Sequence, residues 1–207
     1  MIRIWGRKNS INVQKVMWAV GEIGLEHERI DAGGAFGRNK DPDYLKMNPN
    51  GLVPVLQDGE LTLWESNAIV RYLAARYGDE SLWSEEPAVR AETDKWMDWM
   101  ITTLNPAIFP TFWGLIRTPP AERDMKAIEA ARVKTAELLK IFEAHMAHRL
   151  FVGGTTLSIG DIPMGVFVKR WFALPIERPN YPAVAAYYER LKQRPAFVTH
   201  VESIPLT

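Results

Sequence analysis

The chain contains no cysteine. That absence excludes disulfides, thiolate metal sites and a cysteine nucleophile together. Charge of either sign is not in excess: 25 Lys and Arg stand against 25 Asp and Glu in 207 residues. No net basic field is available to hold nucleic acid or an anionic membrane, and neither is expected as a partner. Long apolar runs are missing too. Nothing approaches the roughly 18 uninterrupted residues of a membrane span, and the opening MIRIWGRKNS lacks the apolar core of a secretory signal, so a cytoplasmic location is expected. Histidine is scarce, and His145 and His148 read as solvated helix residues, so no metal is expected. What is present, 47% apolar and 24% charged residues, is the composition of a globular protein.

The first third alternates short β-like runs with helical ones. Ile2–Gly6 and Glu28–Ala32 read as strands around a helix with apolar positions Val13, Val16, Met17 and Val20. Leu52–Leu56 and Leu61–Trp64 flank Asp58-Gly59-Glu60, a hairpin signal, and Ser66–Tyr77 is a helix stopped by Gly78. The polar stretch Gly78–Pro87 then separates two periodicities and reads as a linker. Beyond it only helices are predicted. These are Val89–Leu104, a segment kinked or broken by Asn105-Pro106 and Pro110, and a long helix begun by Thr118-Pro119-Pro120 and running through Arg149. Two more follow, Ser158–Phe172 and Pro182–Gln193. The expected fold is a βαβ-ββα domain over residues 1–78, a linker at 79–87 and an all-helical domain over 88–207.

Three segments carry candidate chemistry. In Asn50-Gly51-Leu52-Val53-Pro54-Val55 a proline opens a strand. It fits an edge position without a ligand, or a cis Val53–Pro54 bond that turns the Val53 backbone outward to pair with an extended peptide. In Trp64-Glu65-Ser66-Asn67-Ala68-Ile69, Ser66 is placed to cap a helix. With free amides and the neighbouring Glu65 it could hold a zwitterion's carboxylate and ammonium, or it is an ordinary cap. In Asn9-Ser10-Ile11-Asn12 the hydroxyl either caps the first helix or lowers the pKa of a ligand thiol. Leu157-Ser158-Ile159-Gly160-Asp161-Ile162 has the spacing of a capping box with a hydrophobic staple.

These segments, in this order and with Tyr181-Pro182 and Arg194-Pro195-Ala196-Phe197 near the end, resemble the glutathione transferase family over essentially the whole chain. The resemblance implies a thioredoxin-like N-terminal domain that binds glutathione as co-substrate, and an all-α C-terminal domain that supplies the wall for a small apolar electrophile. By position, Val53 beside Pro54 would pair with the cysteinyl part of glutathione, Glu65 and Ser66 would hold its γ-glutamyl end, and Asn39, Lys40 and Asn50 are candidates for its glycyl end. Ser10 stands where serine-type members keep the hydroxyl that stabilises the thiolate. Asn12 replaces a proline common in those members, so Ser10, Asn12 or both could orient the sulfur. Phe109, Phe112 and Trp113 around the prolines, and Trp171-Phe172, are the electrophile-site candidates.

The resemblance also leaves glutathione-dependent disulfide reduction, suggested by Asn12, and a non-catalytic binding module as alternatives. It implies a homodimer in which the third helix faces the first long helix of the second domain. There Arg71 is expected to meet Asp94 or Asp98 of the partner chain.

Overall fold

The computed structural model describes residues 1–207. Its first part is a four-stranded mixed sheet in the order β2-β1-β3-β4. The strands are β1 (Ile2–Trp5), β2 (His27–Ile30), β3 (Val55–Asp58) and β4 (Leu61–Trp64), and α1 (Ile11–Ile23) connects the parallel pair β1 and β2. Side-chain alternation sorts the sheet's two faces. Ile2, Ile4 and Leu56 point into the main core with α1 and α3 (Ser66–Tyr77), whereas Trp5, Val55 and Ala32 form a smaller cluster with Tyr44 of α2 (Pro42–Met47). β1 runs antiparallel to β3 with Ile4 opposite Leu56, and β3 turns into β4 through Gly59 at φ 58°. The third strand begins at Val55, later than the apolar run from Leu52 suggests, because Pro54 lacks the N–H that would extend the ladder.

The helical part begins with α4 (Pro87–Trp99), α5 (Asn105–Phe112) and α6 (Met125–Met146), followed by α7 (Asp161–Ala173), α8 (Pro182–Leu191) and the short α9 (Pro195–Phe197). The expected break at the prolines does not occur. Wide π turns at Met100–Leu104 and Trp113–Arg117 flank α5, and the chain stays helical from Pro87 to Arg117. Pro106 sits in the first turn of α5 and Pro110 inside it, and the following π turn closes with Thr118 N–H donating to Trp113 C=O at 3.0 Å. Thr118-Pro119-Pro120 does not start the long helix either. A 3₁₀ turn (Pro120–Glu122) intervenes, and α6 starts after Asp124, whose carboxylate accepts from the Ala127 amide at 3.0 Å.

α7 is the central post, buried at every position from Asp161 to Trp171. Its start differs from the expected box in the direction of one bond: the Ser158 hydroxyl donates to Asp161, and the buried carboxylate also accepts from the Ser158 and Val152 amides, each at 2.8 Å. Leu157 and Ile162 are both in the core, as a staple requires. The two halves join through α1. Trp18 packs on Phe197 and over Gly165, where a Cβ would lie 2.7 Å from the indole, and Arg194 grips Glu22 with two bonds of 2.7 and 2.8 Å. His145 is half-buried rather than solvated. Its ring packs on Trp96 at 4.3 Å and Nε2 meets the Val152 carbonyl at 2.9 Å.

Candidate active site

Three segments at one end of the sheet, after β1, before β3 and after β4, carry the principal expected site residues. Val53–Pro54 is cis, and neither the N–H nor the C=O of Val53 bonds within the protein. The Val53 side chain packs beside Gly6 and Gly33, where an added Cβ would lie 3.3 and 3.2 Å from it, and at Gly6 would also collide with Val13. Both glycines also have positive φ, 156° and 80°, so the loops meet here through the two residues that tolerate it.

The second segment departs from the expected cap. Glu65, not Ser66, occupies the N-cap position, at φ 73° and without a side-chain cap bond, and Ser66 is the first residue of α3. A non-glycine residue in this region is strained by roughly 1–3 kcal/mol. The helix's first bond runs from Ile69 N–H to Glu65 C=O, so the preceding amides stay free for a ligand. Ser66 is buried, and its hydroxyl accepts from Lys15 Nζ at 3.3 Å.

Ser10 holds the N-cap position of α1, yet its hydroxyl bonds no amide and no other protein group. Asn12, half-buried on the first turn, likewise makes no side-chain hydrogen bond. The glycyl-end candidates are used differently. Asn39 Nδ2 donates to the Gly51 carbonyl at 2.7 Å and Asn50 Nδ2 to Asn48 Oδ1 at 3.0 Å, so both brace the loop before Pro54. Lys40 is exposed, with its ammonium 3.4 Å from the Asn50 carbonyl.

The electrophile-site candidates divide. Phe109 and Trp113 are 46% and 49% exposed and stacked at 5.4 Å, and Phe112 is buried beneath the guanidinium of Arg170. Trp171 is a correction. At 1% exposure it belongs to the core, because α7 is covered on all sides. Arg71 is another: it pairs within its own chain, with Asp94 and Asp98 at 2.6 Å each, since α3 and α4 lie side by side.

Sequence reasoning missed the cations. Lys15 is fully buried, donates only to Ser66 Oγ and Asn67 Oδ1 (3.4 Å), and burial takes its pKa down to about 7, with Arg170 adding to the fall and Glu65 opposing it. Asn67 is fixed in turn by Nδ2 donating to the Met97 carbonyl at 2.9 Å. Arg170 is pushed down to about 10 by burial and then by Arg117, and Arg7 is lowered by the same two causes. The available signals were a lysine inside the apolar run Val13–Val20 and two cations inside the apolar Ile162–Phe172.

Comparison with known proteins agrees with this geometry. The profile described as the glutathione S-transferase N-terminal domain matches residues 1–75, and that of the C-terminal domain matches residues 95–195. Glutathione S-transferase GstB of Escherichia coli K12 is 46% identical over 209 residues, covering 100% of both chains. Glutathione S-transferase 3 of Zea mays is 30% identical over 99% of this chain and 95% of its own. Among solved structures, the theta class glutathione S-transferase of Xanthomonas axonopodis pv. citri with glutathione bound is 49% identical, covers 100% of this chain and 99% of its own, and superposes with a TM-score of 0.95. A full-length likeness to these enzymes, on a thioredoxin-like domain with a cis proline and a helical second domain, means that the chain belongs to the glutathione transferase family.

Proposed function

We infer that the protein conjugates glutathione to small electrophiles, with Ser10 as the group that stabilises the thiolate. The observation that carries this assignment is the Ser10 hydroxyl, which occupies a helix N-cap position and makes no bond in the protein. An N-cap hydroxyl normally accepts from the second or third helical amide. Left free, it can donate to a sulfur placed before α1, with the positive end of the helix dipole behind it. Asn12, also unbonded, is placed to assist. Val53 offers its free backbone to the cysteinyl residue, Ser66 and the first amides of α3 take the γ-glutamyl carboxylate, Glu65 takes the ammonium, and Lys40 is the cation for the glycyl end.

A free thiol titrates near 8.5, and each unit of lowering requires about 1.4 kcal/mol of preferential thiolate stabilisation. One charge-assisted hydrogen bond of about 1.5–3 kcal/mol and a helix terminus of about 0.3–1 kcal/mol are enough for one to two units. The thiolate then attacks the electrophilic carbon, and the leaving group departs with the bonding pair. Following thiolate absorbance of enzyme-bound glutathione against pH tests the assignment. Ser10→Ala should raise the thiol pKa by about one unit or more, following the same arithmetic. If neither Ser10→Ala nor Asn12→Ala raises it, the assignment fails.

Family members are generally dimeric. We place this chain among them as a cytoplasmic homodimer with α3 and α4 facing the two-fold axis. Light scattering across a dilution series should give twice the 23.6 kDa monomer mass. A stable monomer that still binds glutathione would refute the dimer.

A further inference from the structure

Arg7, Lys15, Arg117 and Arg170 are absent from every ion pair of the chain. Two of them converge on one ring. The Arg170 guanidinium lies 4.1 Å from the centre of Phe112, and Arg117, on the π turn after α5, reaches the same ring at 5.9 Å and Trp113 at 5.9 Å. Arg170 is only 8% exposed and its Nε is buried without a partner. Its terminal nitrogens bond no protein atom either. The neighbours on both sides are again cations, for Arg117 acts electrostatically on Arg7 and on Arg170, and Arg170 on Lys15.

A buried guanidinium beside like charges is costly unless an anion completes it. Cation–π contact with Phe112 offsets part of that cost, but it leaves the planar fork of donors unused. Glutathione does not supply the missing anion on the reading above, because its two carboxylates go to Ser66 with the α3 amides and to Lys40. Arg117 and Arg170 instead sit on the helical half, with Phe112 and Trp113, the aromatic candidates for the electrophile site.

We propose that Arg117 and Arg170, over the face of Phe112, form an anion subsite of the electrophile pocket, so that the preferred electrophile carries a carboxylate on an apolar or aromatic body. The inference rests on the conjugation reading and refines its substrate class. Arg170 provides the desolvated donor fork, Arg117 closes the subsite from the solvent side, and the ring supplies the apolar floor. The anion is recognised and takes no part in bond making.

The test compares two electrophiles with the same reacting carbon, 4-chloro-3,5-dinitrobenzoate and its methyl ester, each with saturating glutathione and each expressed relative to its own uncatalysed rate constant, because the ester group activates the ring more than the carboxylate does. In both, the sulfur, its proton already released to solvent, forms the C–S bond, and chloride leaves with the pair from the broken C–Cl bond. The acid should exceed the ester in kcat/KM by roughly tenfold to a hundredfold, the value of one or two hydrogen bonds between charged groups. Arg117 is exposed, so its variants are expected to fold. R117Q should shrink the acid-to-ester ratio, and R117E should invert it. 3,5-Dinitrobenzoate, which has no leaving group, should inhibit competitively against the acid and not against glutathione. Equal turnover of acid and ester, or an equal loss for both in R117Q, would overturn the subsite. Failure to turn over either compound would instead overturn the conjugation reading.

Discussion

Replacing Lys15 by methionine should remove a pH-dependent component of stability and leave a pH-independent one. Lys15 has no exposed surface and no anionic partner in contact, and its folded-state pKa is about 7 against an ordinary 10.5. Below pH 7 the lysine is charged in both folded and unfolded chains, and the fold carries the whole penalty of a buried charge. Between pH 7 and 10.5 the unfolded chain holds a proton that the folded chain has released. Stability therefore rises with pH, by about 1.4 kcal/mol per unit from this residue. From pH 7 to pH 9 the wild type should gain about 2 kcal/mol relative to K15M, the first unit counting only in part because half the folded chains still hold the proton at pH 7. Methionine matches the unbranched stem, but it leaves Ser66 Oγ and Asn67 Oδ1 without their donor, a loss of about 1–3 kcal/mol that does not vary with pH. Urea unfolding of both proteins at pH 6, 7, 8 and 9 separates the two components. A wild-type-minus-K15M difference that stays constant across this series would refute the reasoning, because it would mean that Lys15 keeps the same proton in both states.

Two further perturbations test how the site is held. Asp161→Ala strips the acceptor from the Val152 and Ser158 amides and the Ser158 hydroxyl at the start of α7. It should cost about 3–5 kcal/mol in denaturant unfolding, as loss of a buried charged network does, and a loss below 1 kcal/mol would show that the box is not structural. Gly165→Ala would put a Cβ 2.7 Å from both the Trp18 ring and Leu191 Cδ1. This contact joins the two halves, and overpacking it should cost about 1–3 kcal/mol, read as a lower unfolding midpoint with an unchanged denaturant slope.

The site's loops were legible in the sequence because each is set by a local rule. Gly59 tolerates the positive φ of the hairpin turn and Pro54 cannot extend a ladder wherever it stands, while the roles of Ser10, Val53 and Glu65 came from the family resemblance. The apolar period of the long helix, Ile128, Ala131, Thr135, Leu138, Leu139, Phe142 and Met146, is its buried side in α6 except at Leu138, which is half-buried. Its start was misplaced because Thr118-Pro119-Pro120 and Asp124 are equally good local stops and starts. The choice fell to Asp124, which caps the helix after the intervening 3₁₀ turn.

Charge is where the sequence alone fails, since a side chain's partner depends on which distant element packs against it. Arg71 meets its aspartates within the chain only because α3 lies beside α4, and the sequence distance between them says nothing of that. Lys15 and Arg170 stand inside apolar runs, but they lose their water only because both helices are enclosed, α1 by α3 and α7, and α7 by α1, α4 and α8. Trp171, an apparent pocket aromatic, enters the core by the same enclosure. The sequence therefore determined the strands, turns and helices of the first half through local backbone rules, and its family resemblance marked the candidate glutathione loops. Tertiary packing decided which cations lose their water and which stay unpaired, because desolvation is a property of the assembled interior.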